Sequence, residues 1–446
     1  MNKKCGYEHQ WLIKLSKRGV RAAVALLLLL PVAAWAGGVV TNCTEAALSA
    51  AMADGGTVTF GCDGTILLGN TITNVISGTK VTSDTKLDGS GHQVTISGNK
   101  AVRVFYIDTN VSFTVVNLTI ADGSSLGGSA ILNLGGTVNL TGVCFCSNTA
   151  TMNGSLVQLI PQASGGAIFN RGGSVNASNC SFIGNTAQTP SAESVWAHEQ
   201  VYGGAIRNES GQVDLRSCAF VGNRASGGNS YRGGSSTADP GLGGAIHNGG
   251  TVTLDRCTFA GNSATGGAGF GEYSSGGAGE SGSEGSGGAI FNQGTLTADR
   301  TTLSGNTATG GNGGVGQFGS TTGMPTLDGY DGGPGGGANG AAICNLGWCL
   351  VTRSTFASNV VTGGVGGDGG GGATWADGGG KGGRGAPAGS GLGGALFNSG
   401  AASLVMYHCV EYRSRRSRRC RRCGSGREVG WPGWRRRQRR LGFWRC

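Results

Sequence analysis

Two aspartates, Asp255 and Asp299, recur at one place in a repeating unit, and each is followed by an arginine, Arg256 and Arg300. If the units stack as rungs of a sheet, the carboxylates fall about 5 Å apart. That separation suits a pair working across a glycosidic bond, or a calcium ion. An arginine beside the pair could act as base in eliminating an acidic polysaccharide. The competing reading is a solvated row of opposite charges at a corner, because earlier copies place Ser178 and Arg216 there and no third carboxylate joins. Calcium is the one cofactor these residues suggest. Histidine adds little: His247 fills a variable slot, and no nucleophile lies near His92 or His198 in sequence.

The positions of these residues come from a repeat. Copies of a Gly-Gly-Ala-Ile element start at Gly127, Gly165, Gly203, Gly243, Gly287, Gly340 and Gly393, with start-to-start spacing rising from 38 to 53 residues. Each runs through "GGAI", an asparagine two residues on, a short alternating strand such as "TVTL", and an aromatic followed three residues later by another asparagine. The surplus length is Gly/Ser-rich and always follows that second asparagine. Such a pattern describes stacked rungs, with the surplus looping out at one corner. Within a rung Val252 and Leu254 share a face, as do Cys257 and Phe259, while Thr253 and Thr258 point away. Short strands with one face inward on every turn predict an all-β fold, a right-handed parallel β-helix with a short N-terminal capping helix and long Gly-rich loops. The loops read as flexible, since lengthening them costs little closure entropy.

Stacking gives the asparagines a role. Asn148, Asn185, Asn223, Asn262, Asn306 and Asn359 form one expected ladder, at a corner where asparagine tolerates a left-handed backbone. Asn170, Asn208, Asn248, Asn292, Asn345 and Asn398 form a second column. A sugar-binding row of amides is the functional alternative. Cys180, Cys218 and Cys257 share a rung position that Thr301 and Ser354 take over later, which reads as stacked buried thiols rather than metal ligands. The glycine pairs belong to the bend before each strand.

Residues 1–36 read as an export signal, with a basic start, an apolar run from Ala22 to Leu30 and small residues before a cleavage point near Ala36. No later segment is apolar enough to span a membrane. Residues 37–126 read as an N-terminal cap and the first coils, and "NCTEAALSAAMA" reads as a helix capped by Asn42 and Glu45 that covers the open end of the stack. Cys43 and Cys62 bracket it and make the best disulfide pair among 14 cysteines. The formal charge of +10 sits at the two ends, so the body between them is net acidic, which argues against a nucleic-acid partner.

The pairing of "GGAIFN" at 165–170 with "FIGN" at 182–185, of "GGAIRN" with "FVGN" and of "GGAIHN" with "FAGN" resembles the repeats of the polymorphic outer membrane proteins. The resemblance spans roughly residues 127–400 and implies a pectate-lyase-like β-helix passenger. Chlamydial members of that family act as adhesins and end in a membrane β-barrel. After residue 400 this chain shows none of a barrel's alternating ten-residue strands.

The repeat region, 127–408, gives way to an Arg-rich tail, 409–446, expected to be disordered. Glycine codons read one base out of step yield Arg and Trp, in which the tail is rich, so it reads as a frameshift product beginning near Val405. A genuine polybasic arm is the rival. The expectation for function is an exported or outer-membrane-associated cell-surface protein, non-catalytic, displaying its loops to surface glycans or proteins. The alternative is a polysaccharide lyase or hydrolase.

Overall fold

The computed structural model describes residues 37–69, 79–151, 163–189, 200–230, 238–271, 277–319, 328–375, 378–412 and 415–417. The export signal at 1–36 and all of the tail beyond Ser417 lie outside the described residues. The chain forms a parallel β-helix. Among the described residues every strand pairing is parallel except that of Thr374–Trp375 with Gly378–Gly379.

One repeat shows the logic. Ile246–Asn248 and Thr251–Asp255 both enter an 18-stranded sheet, Thr258–Ala260 enters a 10-stranded sheet, and Ser263–Thr265 enters an 8-stranded sheet. The chain then leaves the coil and returns through Gly285–Ser286, in a 5-stranded sheet, before the next glycine pair. Each strand meets its counterpart one repeat later in register: Ile246 with Ile290, Val252 with Leu296, Phe259 with Leu303. The strands before Gly127 continue the same sheets, since Phe105 pairs with Ile131 and Ile120 with Phe145.

Alternation fills the interior. Val252, Leu254, Cys257 and Phe259 are almost wholly buried, whereas Thr258 is exposed. Register stacks like on like. Phe145, Phe182, Phe220 and Phe259 have successive ring centroids 4.8, 4.5 and 4.6 Å apart and lie within 6° of parallel. Each such contact adds about 0.5–1.5 kcal/mol beyond its buried area.

The N-terminal helix covers Glu45–Met52, with Leu48 and Met52 in the main core. Its cap is not Asn42. Thr44 accepts the Ala47 amide at 3.3 Å, while Glu45 reaches across to the Gly69 amide at 2.7 Å. Cys43 is disulfide-bonded to Cys62 with Cα atoms 5.8 Å apart, which holds the residue between Asn42 and the cap to the first coil.

One feature differs from expectation at the C-terminal end. The tail does not begin as disorder at 409: Val410–Tyr412 pairs with Thr355–Ala357, and Arg415–Ser417 with Val360–Thr362. Backbone register therefore outlasts the sequence pattern. Glu411 takes the register position that Phe145, Phe182, Phe220, Phe259, Leu303 and Phe356 fill on earlier rungs, and there it is exposed. Among the described residues no helix is long and apolar enough to cross a membrane.

Candidate functional site

The charged row sits at the bend between the long sheet and the 10-stranded sheet. Asn179, Ser217, Arg256, Arg300, Arg353 and His408 stack there with φ between 49° and 54°. Asp255 and Asp299 are direct register partners on adjacent rungs. Their carboxylates are not free for chemistry. Asp255 meets Arg300 at 2.7 Å, Arg256 at 3.0 Å and Arg216 at 3.5 Å. Asp299 meets Arg300 at 3.1 Å, receives Arg353 Nε and the Thr352 hydroxyl at 2.7 Å each, and contacts Arg353 Nη2 as well. The Arg353 hydrogen bonds, then Thr352 and the charge of Arg300, hold the Asp299 carboxyl far below the usual carboxylate range. It cannot deliver a proton at neutral pH. Among the described residues no group of three or more His, Cys, Asp or Glu side chains is placed to hold a metal.

The thiol column explains why Cys, Thr and Ser interchange. Cys180, Cys218, Cys257, Thr301, Ser354 and Cys409 each donate to the carbonyl two residues back, at 3.3, 3.4, 3.6, 3.1, 2.7 and 3.4 Å. Each of these carbonyls also accepts a backbone N–H from the neighbouring rung, as Asp255 O does from Ser217 at 2.8 Å, so the thiol or hydroxyl adds a second hydrogen bond and finds its own donor a partner inside the coil. Contact with Cys218, and then burial, pushes the Cys180 and Cys257 thiols up, which makes them poor nucleophiles.

Both asparagine columns are buried runs of amides. Asn148, Asn185, Asn223, Asn262, Asn306 and Asn359 are linked Nδ2 to Oδ1 at 2.9–3.0 Å. Each Oδ1 after the first also accepts the preceding asparagine's backbone N–H at 3.0–3.1 Å. The asparagines themselves do not take the left-handed conformation. The residue before each one does, as at Gly184, Gly222, Gly261 and Gly305 with φ of 61–64°. The bend is made one residue early, which turns the amide inward. The second column runs from Asn133 through Asn170, Asn208, Asn248, Asn292 and Asn345 to Asn398, with amide contacts of 2.6–2.9 Å. Its Gly-Gly turns line a shallow groove of about 470 Å³ along the axis, walled by Gly136, Gly173, Ser174 and Gln212.

The slot between "GGAI" and the asparagine faces outward yet is buried. Its column reads Tyr106, Leu132, Phe169, Arg207, His247, Phe291, Cys344, Phe397. Arg207 is 4.1 Å from the Tyr202 ring and donates to Ser164 Oγ at 2.6 Å. His247 packs edge-on to Tyr202 at 4.3 Å and against Phe291 at 5.4 Å. Burial, and then the charge of Arg207, pulls its pKa down to about 3.

Tyr202 and Leu242, from the return strands of the 5-stranded sheet, pack on this column. The glycine-rich segments are themselves bonded to one another, and here the expectation of flexible loops is overturned. Gly310, Gly313, Gly316 and Gly319 donate to Thr362, Val365, Asp368 and Gly371 of the next loop at 2.8–2.9 Å. Gly311, Gly314 and Gln317 donate to Ser283, Glu280 and Gly277 of the previous one at 2.7–2.8 Å. Return arms pair in the same way, Gly329, Gly332 and Gly335 with Lys381, Arg384 and Pro387 at 2.7–3.0 Å. The period is three residues, that of a polyproline II helix, which has no internal hydrogen bonds and here takes all of them from neighbouring segments. Glycine is required because the helices touch: a Cβ on Gly313 would lie 1.8 Å from Gly333 O, and one on Gly311 1.7 Å from Gly267 O.

Every third residue is left to face solvent. Asn312, Val315 and Phe318 are exposed on the outgoing arm, and Asp328, Asp331 and Pro334 on the return arm. Val315 is 40% and Phe318 67% exposed. The loops thus build a stacked slab whose outgoing edge presents Val315 and Phe318 in one loop and the exposed Asp368 in the next, and whose return edge carries charge, with the Asp331 carboxylate accepting the Arg384 amide at 2.5 Å. The "GGNGGVGQF" triplet period was the signal in the sequence.

No protein-family model matches this chain, and no curated protein matches it in sequence. Among solved structures it is similar to the ORF18 protein of Geobacillus virus E2 at 13% identity, over 96% of this chain and 67% of that one, with a TM-score of 0.23. A likeness of that size carries no argument.

Proposed function

We propose that the chain is an exported cell-surface protein that attaches, without turnover, to surface glycans, wall polymers or proteins through the glycine slab. The observation that supports this most is the inter-loop hydrogen bonding just described. A backbone-locked slab holds Val315, Phe318 and their neighbours in fixed positions, so binding loses little ordering entropy. A solenoid core with loops along one edge is a scaffold for such a surface. The alternative, a lyase or hydrolase acting on acidic polysaccharide, would have to run on Asp255 and Asp299, and both are already engaged by arginines. A calcium role meets the same objection, because a cation would have to displace those guanidinium groups.

The test is binding of the secreted chain to immobilised cell-wall and host-surface glycans, alongside release of unsaturated or reducing ends from uronate polymers. Binding without release, weakened tenfold or more by Phe318→Ser with Val315→Ser, supports the proposal. Release of sugar ends, or binding unchanged by those substitutions, contradicts it.

A further inference from the structure

The glycine slab ends on an open layer. Its last loop runs out along 363–372 and back along 381–389, and each residue has a counterpart 53 residues earlier, as Val365 has in Asn312 and Arg384 in Asp331. In the earlier loop Gly313 and Gly316 donate to Val365 and Asp368 at 2.8 Å, and the Gly333 and Tyr330 carbonyls accept from Gly367 and Gly370 at 2.8 Å. The outgoing arm 363–372 therefore lies in a furrow between the two arms below it. One loop on, the same groups are the Gly366 and Gly369 amides and the Ala386 and Gly383 carbonyls. None of these has a backbone partner among the described residues. Burial changes to match: Gly333 is buried where Ala386 is partly exposed, and Gly329 and Gly332 are partly exposed where Gly382 and Gly385 are exposed.

We propose that this furrow binds one glycine-rich strand of a separate polypeptide in the polyproline II conformation. It is the polyproline II counterpart of adding a strand to a sheet edge, with main-chain hydrogen bonds supplying the affinity. The strand's carbonyls accept from Gly366 and Gly369, and its amides donate to Ala386 and Gly383. Asn312, Asp328 and Asp331 each accept the amide of their counterpart one loop on, at 3.0, 2.7 and 2.5 Å, and the exposed Asp368 offers the strand the same contact.

The chain itself shows what such a strand must be. A Cβ on Gly367 would lie 1.8 Å from Gly314 O, and one on Gly370 1.9 Å from Gln317 O, so every third residue must be glycine. Ala388 stands at the place of Gly335, where a Cβ would lie 2.2 Å from Gly364 O, so it closes the inner end of the furrow and leaves the outer triplets to the strand. The chain's own continuation carries the wrong residues. Ser417 pairs with Thr362, and counting on from there puts Arg422 and Ser425 at the places of Gly367 and Gly370.

The experiment titrates the native full chain into a fluorescein-labelled peptide with the sequence of residues 365–372, VGGDGGGG, and follows its anisotropy. Saturable binding is expected, weakened tenfold or more when alanine replaces the third and sixth residues of the peptide. In the chain, Gly385→Ala is the blocking variant. A Cβ there has only Gly367 O nearby, at 3.8 Å, whereas on its counterpart Gly332 a Cβ would meet the arm in the furrow at 2.1 Å. The variant should keep the parent's hydrogen exchange in residues 363–389 and bind the peptide at least tenfold more weakly. It leaves Val315 and Phe318 in place, so attachment through the loop edges should not change, and the two readings can fail separately. No saturable binding, equal binding of the alanine peptide, or binding unmoved by Gly385→Ala would each overturn the proposal. A chain that is dimeric in solution and takes no peptide would also overturn it, in favour of a second copy on this face.

Discussion

A methyl group on Gly367 would sit 1.8 Å from the carbonyl oxygen of Gly314, the residue one loop below it. Gly314 is in the same situation with respect to Phe270, at 1.9 Å. A column of such contacts means that successive loops touch backbone to backbone, which only glycine permits. The loops are therefore part of the folded body.

Gly314→Ala should break this contact locally. We expect faster proteolysis and faster hydrogen exchange in residues 277–319 and 328–371, with the β-helix core retained. Gly400→Ala, where nothing lies within 4 Å of the added Cβ, is the matched control and should leave both unchanged. Limited proteolysis with mass-spectrometric readout distinguishes them.

Asn262→Ala should destabilise the chain by about 3 kcal/mol, because it strands several buried polar groups at once. Asn262 Nδ2 donates to Asn306 Oδ1 at 2.9 Å and to Phe220 O at 3.0 Å, while its Oδ1 accepts from Asn223 at 2.9 and 3.0 Å. Asn262→Asp should do no better, since a carboxylate has no donor for either acceptor. Chemical denaturation measures both.

Stability should fall in mild acid through His247. Its folded pKa of about 3 lies below the unfolded value near 6.5, so the unfolded chain binds the extra proton between those limits. The contribution is fully present above pH about 6.5 and is lost as pH drops toward 3, by up to about 1.4 kcal/mol per pH unit. His247→Phe, matching Phe169 and Phe291 in the same column, should flatten that slope in denaturation curves recorded from pH 7 to pH 4.

Asp299→Asn should leave glycan binding unaltered and expose no catalytic loss, since Asp299 serves Arg300 and Arg353 rather than a substrate. A binding isotherm of the variant beside that of the parent chain checks this.

The coil was legible in the sequence because each inward residue has to match the one below it. Phe182 over Phe145 and Asn223 over Asn185 repeat as letters because they repeat as contacts. Partners of unlike type were harder to see. Arg353 joined the charged row from a degenerate copy, and Asn133 joined the second column from a copy reading "GGSAILN". The helix cap moved to Thr44 because Asn42 adjoins a cysteine bonded to Cys62, a constraint that local capping rules omit. The triplet "GGNGGVGQF" was visible, but its hydrogen bonds run between loops 53 residues apart, and composition alone reads as flexibility.

Amide hydrogen exchange across residues 310–319 and 328–337 addresses the slab most directly. Protection of these glycine amides comparable to that of the core strand Thr295–Asp299 is the predicted result. Exchange at the rate of an unstructured chain, while that core strand stays protected, would contradict it.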